Sequence, residues 1–102
     1  MSKPGELARL EAHVRGRVQG VGFRYFVTSR AMRRGLTGFV ANDQDGSVRV
    51  VVEGPRADLE DLLDTLHEGP ASALVEQVDE NWLPYTGHWG SFSIESSGHR
   101  GD

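Results

Sequence analysis

Cysteine is absent from the chain, which removes disulfides, a thiol nucleophile and a thiolate metal site together. Also missing is any apolar run approaching the roughly 20 residues that span a bilayer. The start, Met1-Ser2-Lys3-Pro4-Gly5-Glu6, has no apolar segment of the kind that directs secretion. Cytoplasmic residence without membrane association is the expectation. Aromatic residues are scarce at 8%, and the apolar run from Ser47 to Val52 contains none, whereas a sheet that stacks RNA bases needs them on its central strands. Acidic residues are absent between positions 12 and 42. Arg15, Arg17, Arg24, Arg30, Arg33 and Arg34 give that segment +6 within a chain of net charge −4, leaving −10 elsewhere. An acidic whole suits nucleic acid poorly, because that partner demands many phosphate contacts. A basic segment without acid of its own suits a small anion.

What is present fits a soluble globular protein. Of 102 residues, 37% are apolar and 25% charged, enough for one two-layer core in a single domain over 1–102. Leu10, Ala12 and Val14 alternate with Glu11, His13 and Arg15 as in a half-buried strand. Phe23, Phe26, Val27 and Ala31 recur at helical spacing, and Gly35 closes that run. Second and third strands are predicted over Leu36–Ala41 and Ser47–Glu53, with an Asp45-Gly46 hairpin turn between them. Gly54-Pro55 is predicted to break the third strand ahead of a helix whose buried stripe is Leu59, Leu62, Leu63 and Leu66. Asp58, Glu60, Asp61 and Asp64 of that helix face water or sit near its positive end.

Leu74–Trp82 reads as a fourth strand, irregular because Val75 and Val78 fall out of phase, and Phe92–Glu95 as a short fifth. The ordered core covers about residues 8–95, with frayed ends over 1–7 and 97–102. The order β-α-β-β-α-β plus a short extra strand is the α+β, ferredoxin-like (split βαβ) arrangement. It implies an antiparallel sheet with two helices on one face. Many functions use that fold, so the fold alone assigns none.

The chemistry concentrates in Gly16-Arg17-Val18-Gln19-Gly20-Val21-Gly22-Phe23-Arg24, which joins the first strand to the first helix. Glycines there let successive backbone N–H groups turn inward, and a concavity at a helix N-terminus holds an oxyanion. Arg24 stands where the helix begins and offers a two-pronged contact to phosphate oxygens. Neither the nucleotide P-loop nor the dinucleotide fingerprint matches these residues. The histidines, His13, His67, His88 and His99, show no metal-ligand spacing, so no metal is expected. No nucleophile elbow surrounds any serine. Trp82, Tyr85 and Trp89 read as packing residues.

Gly16 to Arg24 resembles the first signature of the acylphosphatase family, and Gly38-Phe39-Val40-Ala41-Asn42-Asp43-Gln44-Asp45-Gly46-Ser47-Val48 resembles its second. The resemblance continues through Glu53-Gly54-Pro55, Gly69-Pro70-Ala71 and Phe92-Ser93-Ile94, covering roughly residues 8 to 95. It implies a metal-independent enzyme that hydrolyses the carboxyl-phosphate bond of a small-molecule acyl phosphate; no cofactor is expected, and the chain, ending soon after its fifth strand, is expected to be free-standing. Arg24 matches the family's catalytic, phosphate-binding arginine, and Asn42 the asparagine that positions water. The amides of Gln19, Gly20, Val21, Gly22 and Phe23 match its phosphate cradle. Phe39 fills the family's aromatic position after the strand glycine, and Arg17 a basic position beside the loop. Gly22 stands where relatives often carry a bulkier apolar residue, which implies a more flexible loop. A monomer is expected. The alternative left open is a non-catalytic small-anion-binding or partner domain of the same fold, which turnover would distinguish.

Overall fold

The computed structural model describes residues 5–95. Alternating apolar residues produce five strands: β1 (Leu7–Arg17), β2 (Thr37–Asn42), β3 (Val48–Pro55), β4 (Leu74–Pro84) and β5 (Phe92–Glu95). Two helices, α1 (Phe23–Arg33) and α2 (Arg56–Glu68), complete the order. The strands lie in one sheet in the order β4-β1-β3-β2-β5. The β1/β3, β1/β4 and β2/β3 pairs are antiparallel, but β2 and β5 run parallel. The sheet is therefore mixed, where the sequence pattern led us to expect an antiparallel one. The four-strand core is antiparallel as expected, and the extra strand alone departs from it.

Register explains the core. Leu10, Ala12 and Val14 pair with Val52, Val50 and Val48, so six apolar side chains project to one face of the sheet. There they meet Phe23, Val27 and Ala31 of α1 and Leu59, Leu62 and Leu66 of α2, all buried. Leu63 is only partly buried at the margin of this cluster. The irregularity of β4 has a local cause. Arg15 pairs with Gln77 while Gly16 pairs with Val75, so Glu76 is an extra residue in a β-bulge. The bulge shifts the alternation and returns Val75 and Val78 to the core side, where both pack against the buried cluster.

Several boundaries move. Gly54-Pro55 does not break β3; Ala8 pairs with Gly54 and Leu7 with Pro55, which brings Leu7 out of the expected frayed end and into β1. Pro55 has extended backbone angles and is itself the N-cap of α2, so the helix begins directly at Arg56. β2 is displaced by one residue and includes Asn42, and β4 continues to Pro84. The expected fraying over 97–102 and His99 lie outside the described residues.

The strands β4 and β5 occupy opposite edges of the sheet, so residues 85–91 must cross it, a span of roughly 19 Å at about 4.8 Å per strand. They cross the face away from the helices. Thr86 and Gly87 bind Glu53 of β3, and the Trp89 ring lies 5.9 Å from Phe39 of β2 and 4.9 Å from the Arg9 guanidinium of β1. This strap covers the otherwise open face, which explains why Val51 and Glu53, on the non-helical side of β3, are buried. Two of the three aromatic residues expected to pack do so: Trp82 lies 3.6 Å from the Arg56 guanidinium, and Trp89 anchors the strap. Tyr85 stays exposed.

Candidate active site

The end of β1, the start of α1 and the end of β2 converge at one edge of the helical layer. Val18 leaves β1 buried and anchors the loop. Gly20 and Gly22 both adopt left-handed backbone, at φ 74° and 78°. A Cβ on either would meet nothing within 4 Å, so the requirement for glycine is conformational, not one of space. Gly22 is the N-cap of α1, and its carbonyl accepts the first helical hydrogen bond, from Phe26 N–H at 3.0 Å. No acidic residue stands in the first turn and no side chain caps it. Neither an acidic side chain nor a side-chain cap therefore offsets the positive end of the helix there.

Arg24, the second residue of α1, and Asn42, the last residue of β2, line a single cleft of about 180 Å³. Gly20 and Gly22 line it as well, with Val18 and Phe23 behind them. Its lining also includes Tyr25 and Ile94, two exposed apolar side chains to which the sequence motifs give no site role. Exposed apolar residues have no periodic signature, and β5 reaches the cleft only through tertiary pairing with β2. Asn42 is 8% exposed and its Oδ1 is fully buried.

Gln19 and Val21 do not line this cleft; they brace it. The Gln19 side-chain amide donates to the carbonyls of Asp43 and Ser47 at 2.8 and 2.9 Å, tying the loop to the hairpin that follows Asn42. The hairpin is closed by Asp43 N–H donating to the Ser47 carbonyl. Its tip is held by Asp45, whose carboxylate accepts from the Ser47 hydroxyl, the Ser47 N–H and the Arg15 guanidinium. The Ser47 hydroxyl leads in keeping the Asp45 carboxyl well below the usual carboxylate range, with the Ser47 N–H and Arg15 next. On the opposite side the Ser72 hydroxyl donates to the Val21 carbonyl at 2.9 Å.

Part of the excess positive charge is answered within the molecule. Arg15 bridges Asp45 and Asp79, and Arg34 bridges Asp58 and Asp61 of α2. Arg30 lies 4.8 Å from the Phe26 ring. Asp58 and Asp61 thus serve as partners of Arg34, the C-cap of α1, as well as facing water. His13, on the outward side of β1, sits 3.4 Å from Asp43. Among the described residues, no group of three or more His, Asp or Glu side chains could hold a metal ion. Among them too, no helix is long and apolar enough to cross a membrane.

The model of the family described as acylphosphatase matches residues 10–94. The chain belongs to the acylphosphatase family. An acylphosphatase of Salinibacter ruber is 53% identical over 78 residues, which cover 76% of this chain and 82% of that protein. The crystal structure of acylphosphatase from Bacillus subtilis superposes with a TM-score of 0.83 at 36% identity, covering 88% of this chain and 99% of that one. Full-length HypF, in its phosphate- and nucleotide-bound form, has a TM-score of 0.81 at 26% identity over 91% of this chain but only 13% of its own. The acylphosphatase fold therefore also occurs as a small part of a much longer protein. The chain is an enzyme of the acylphosphatase class, a hydrolase acting on small acyl phosphates.

Proposed function

We propose that this acylphosphatase works without metal or cofactor, with the phosphoryl group held by the amides of Gly20, Gly22 and Phe23 and by Arg24, on a loop that Gln19 and Val21 brace. Water oriented by the Asn42 side-chain amide attacks phosphorus in line. The bond between phosphorus and the carboxyl oxygen breaks, a carboxylate leaves, and the proton of the attacking water passes to a phosphate oxygen. A carboxylate leaves readily, so the site needs positioning and charge compensation more than a strong general acid. The single observation carrying this reading is that Gly20, Gly22, Arg24 and Asn42, from two separate motifs, line one cleft at a helix N-terminus without an acidic residue. The protein acts as one domain, as a monomer, in the cytoplasm.

Hydrolysis of acetyl phosphate in the presence of a chelator tests the proposal. Arg24→Ala and Asn42→Ala, each verified as folded by circular dichroism, are expected to lose roughly 10²–10³-fold in kcat. Arg24→Lys should not restore full activity, because an ammonium lacks the planar two-pronged geometry. Phosphate binding without turnover in the wild type would favour a non-catalytic anion-binding domain.

A further inference from the structure

The phosphate loop has a weak point. Val21 lies between Gly20 and Gly22, both left-handed and both without neighbours within 4 Å of a Cβ position. Sterics therefore do little to fix the peptide plane joining Val21 to Gly22, and the glycine on its C-terminal side lets that plane rotate at low cost. One side chain grips it. The Ser72 hydroxyl, from the connection between α2 and β4, donates to the Val21 carbonyl across a sequence separation of 51 residues. Ser72 is itself set in a tight turn, closed by Ala73 N–H donating to the Pro70 carbonyl at 2.9 Å.

We infer that Ser72 is a positioning residue for phosphoryl binding, acting through the Gly22 N–H. The described residues contain no cis peptide bond, and in a trans peptide unit the C=O and the N–H point in opposite directions. A hydroxyl holding the Val21 carbonyl from outside the cleft thereby aims the Gly22 N–H the other way. Gly22 lines the cleft and Ser72 does not. The hydrogen bond thus selects the orientation in which Gly22 donates to an anion seated beside Arg24. Without it, the peptide samples a flipped orientation that presents a carbonyl oxygen to the phosphoryl group. The inference rests on the phosphoryl-cradle reading above and adds a residue that lies in neither signature.

The test compares wild type with Ser72→Ala, Ser72→Val and Ser72→Thr. The affinity for inorganic phosphate is titrated by NMR on the Gly22 amide resonance, alongside KM and kcat for acetyl phosphate. Ala and Val should weaken phosphate binding and raise KM about three- to tenfold, the worth of one net hydrogen bond, with a smaller fall in kcat. Thr keeps a hydroxyl and should stay near wild type, although Val has nearly its shape. The phosphate-induced shift of the Gly22 amide should shrink in Ala and Val alone. Equal phosphate affinity in wild type, Ala and Val overturns the inference, as does an equal loss in Thr and Val. A wild type that binds phosphate without hydrolysing acetyl phosphate overturns the catalytic reading alone, since the variants still rank by phosphate affinity. A wild type that binds no phosphate overturns both.

Discussion

Glu53 is a charged side chain with no solvent exposure in the middle strand of the sheet. It survives there because its carboxylate collects three donors from the strap: Thr86 N–H and hydroxyl at 2.9 and 2.7 Å, and Gly87 N–H at 2.9 Å. Arg9 approaches to 4.0 Å. Burial pushes the carboxyl pKa up, but these hydrogen bonds and the nearby cation together outweigh it and hold the group below its ordinary value. The unfolded chain therefore takes up the proton first. Stability from Glu53 is complete above the unfolded carboxyl pKa of about 4.3 and is lost as pH falls through and below it. Urea unfolding at neutral pH should show Glu53→Gln destabilised by about 2 kcal/mol, because the new NH2 group meets donors where an acceptor is needed. Near pH 3 that difference should narrow, because the wild type is then losing the same interaction.

Among the elements, β2 shows how closely the sheet is fitted. A Cβ on Gly38 would stand 1.9 Å from the Val51 carbonyl oxygen of β3, and its φ of 131° is itself unfavourable for any other residue. On the other side Gly38 N–H donates to Ser91, which fixes the start of β5. Gly38→Ala is expected to cost about 3 kcal/mol, read as a lowered denaturation midpoint. Activity should fall with it, because β2 carries Asn42 at its far end. The same glycine that eases the backbone in one family signature thus does a different task from those in the loop. Gly20 and Gly22 bend the chain along the cleft; Gly38 lets two strands meet.

The molecule as a whole has two covered faces made by different means. The helices cover one with Leu, Val and Phe side chains, and the strap from Tyr85 to Ser91 covers the other with one tryptophan and a set of hydrogen bonds to Glu53. The strap lies over the Gly38 end of β2, whereas the cleft lies at the Asn42 end. Stability and chemistry can therefore be separated. Trp89→Ala removes the contacts with Phe39, Arg9 and His88. It should destabilise the fold by about 2 kcal/mol, below the usual range for a fully buried tryptophan. At a temperature where the variant stays folded, kcat for acetyl phosphate should match wild type. A fall in kcat without a fall in stability would show that the two ends of β2 are coupled.

Element order, the helical core face and the glycine turn into the first helix were legible in the chain because each is a local matter. Alternation marks strands, a 3.6-residue period marks helices, and glycines beside a helix start mark a turn that frees backbone N–H groups. The pairing of residues from distant elements was not legible. The bulge at Glu76 depends on how β1 and β4 align, and Pro55 reads as a breaker until Leu7 is found beside it. Glu53 reads as an ordinary strand carboxylate until the strap brings Thr86 and Gly87 over it. Gln19 and Ser72 illustrate the same divide within the site. Their positions in the sequence suggest a loop amide and a plain turn serine, yet their side chains brace the loop from two sides through carbonyls 24 to 51 residues away. Local chain physics specified which backbone could receive an anion; contacts between elements far apart in the chain, formed only when the sheet closes, set how firmly that backbone is held.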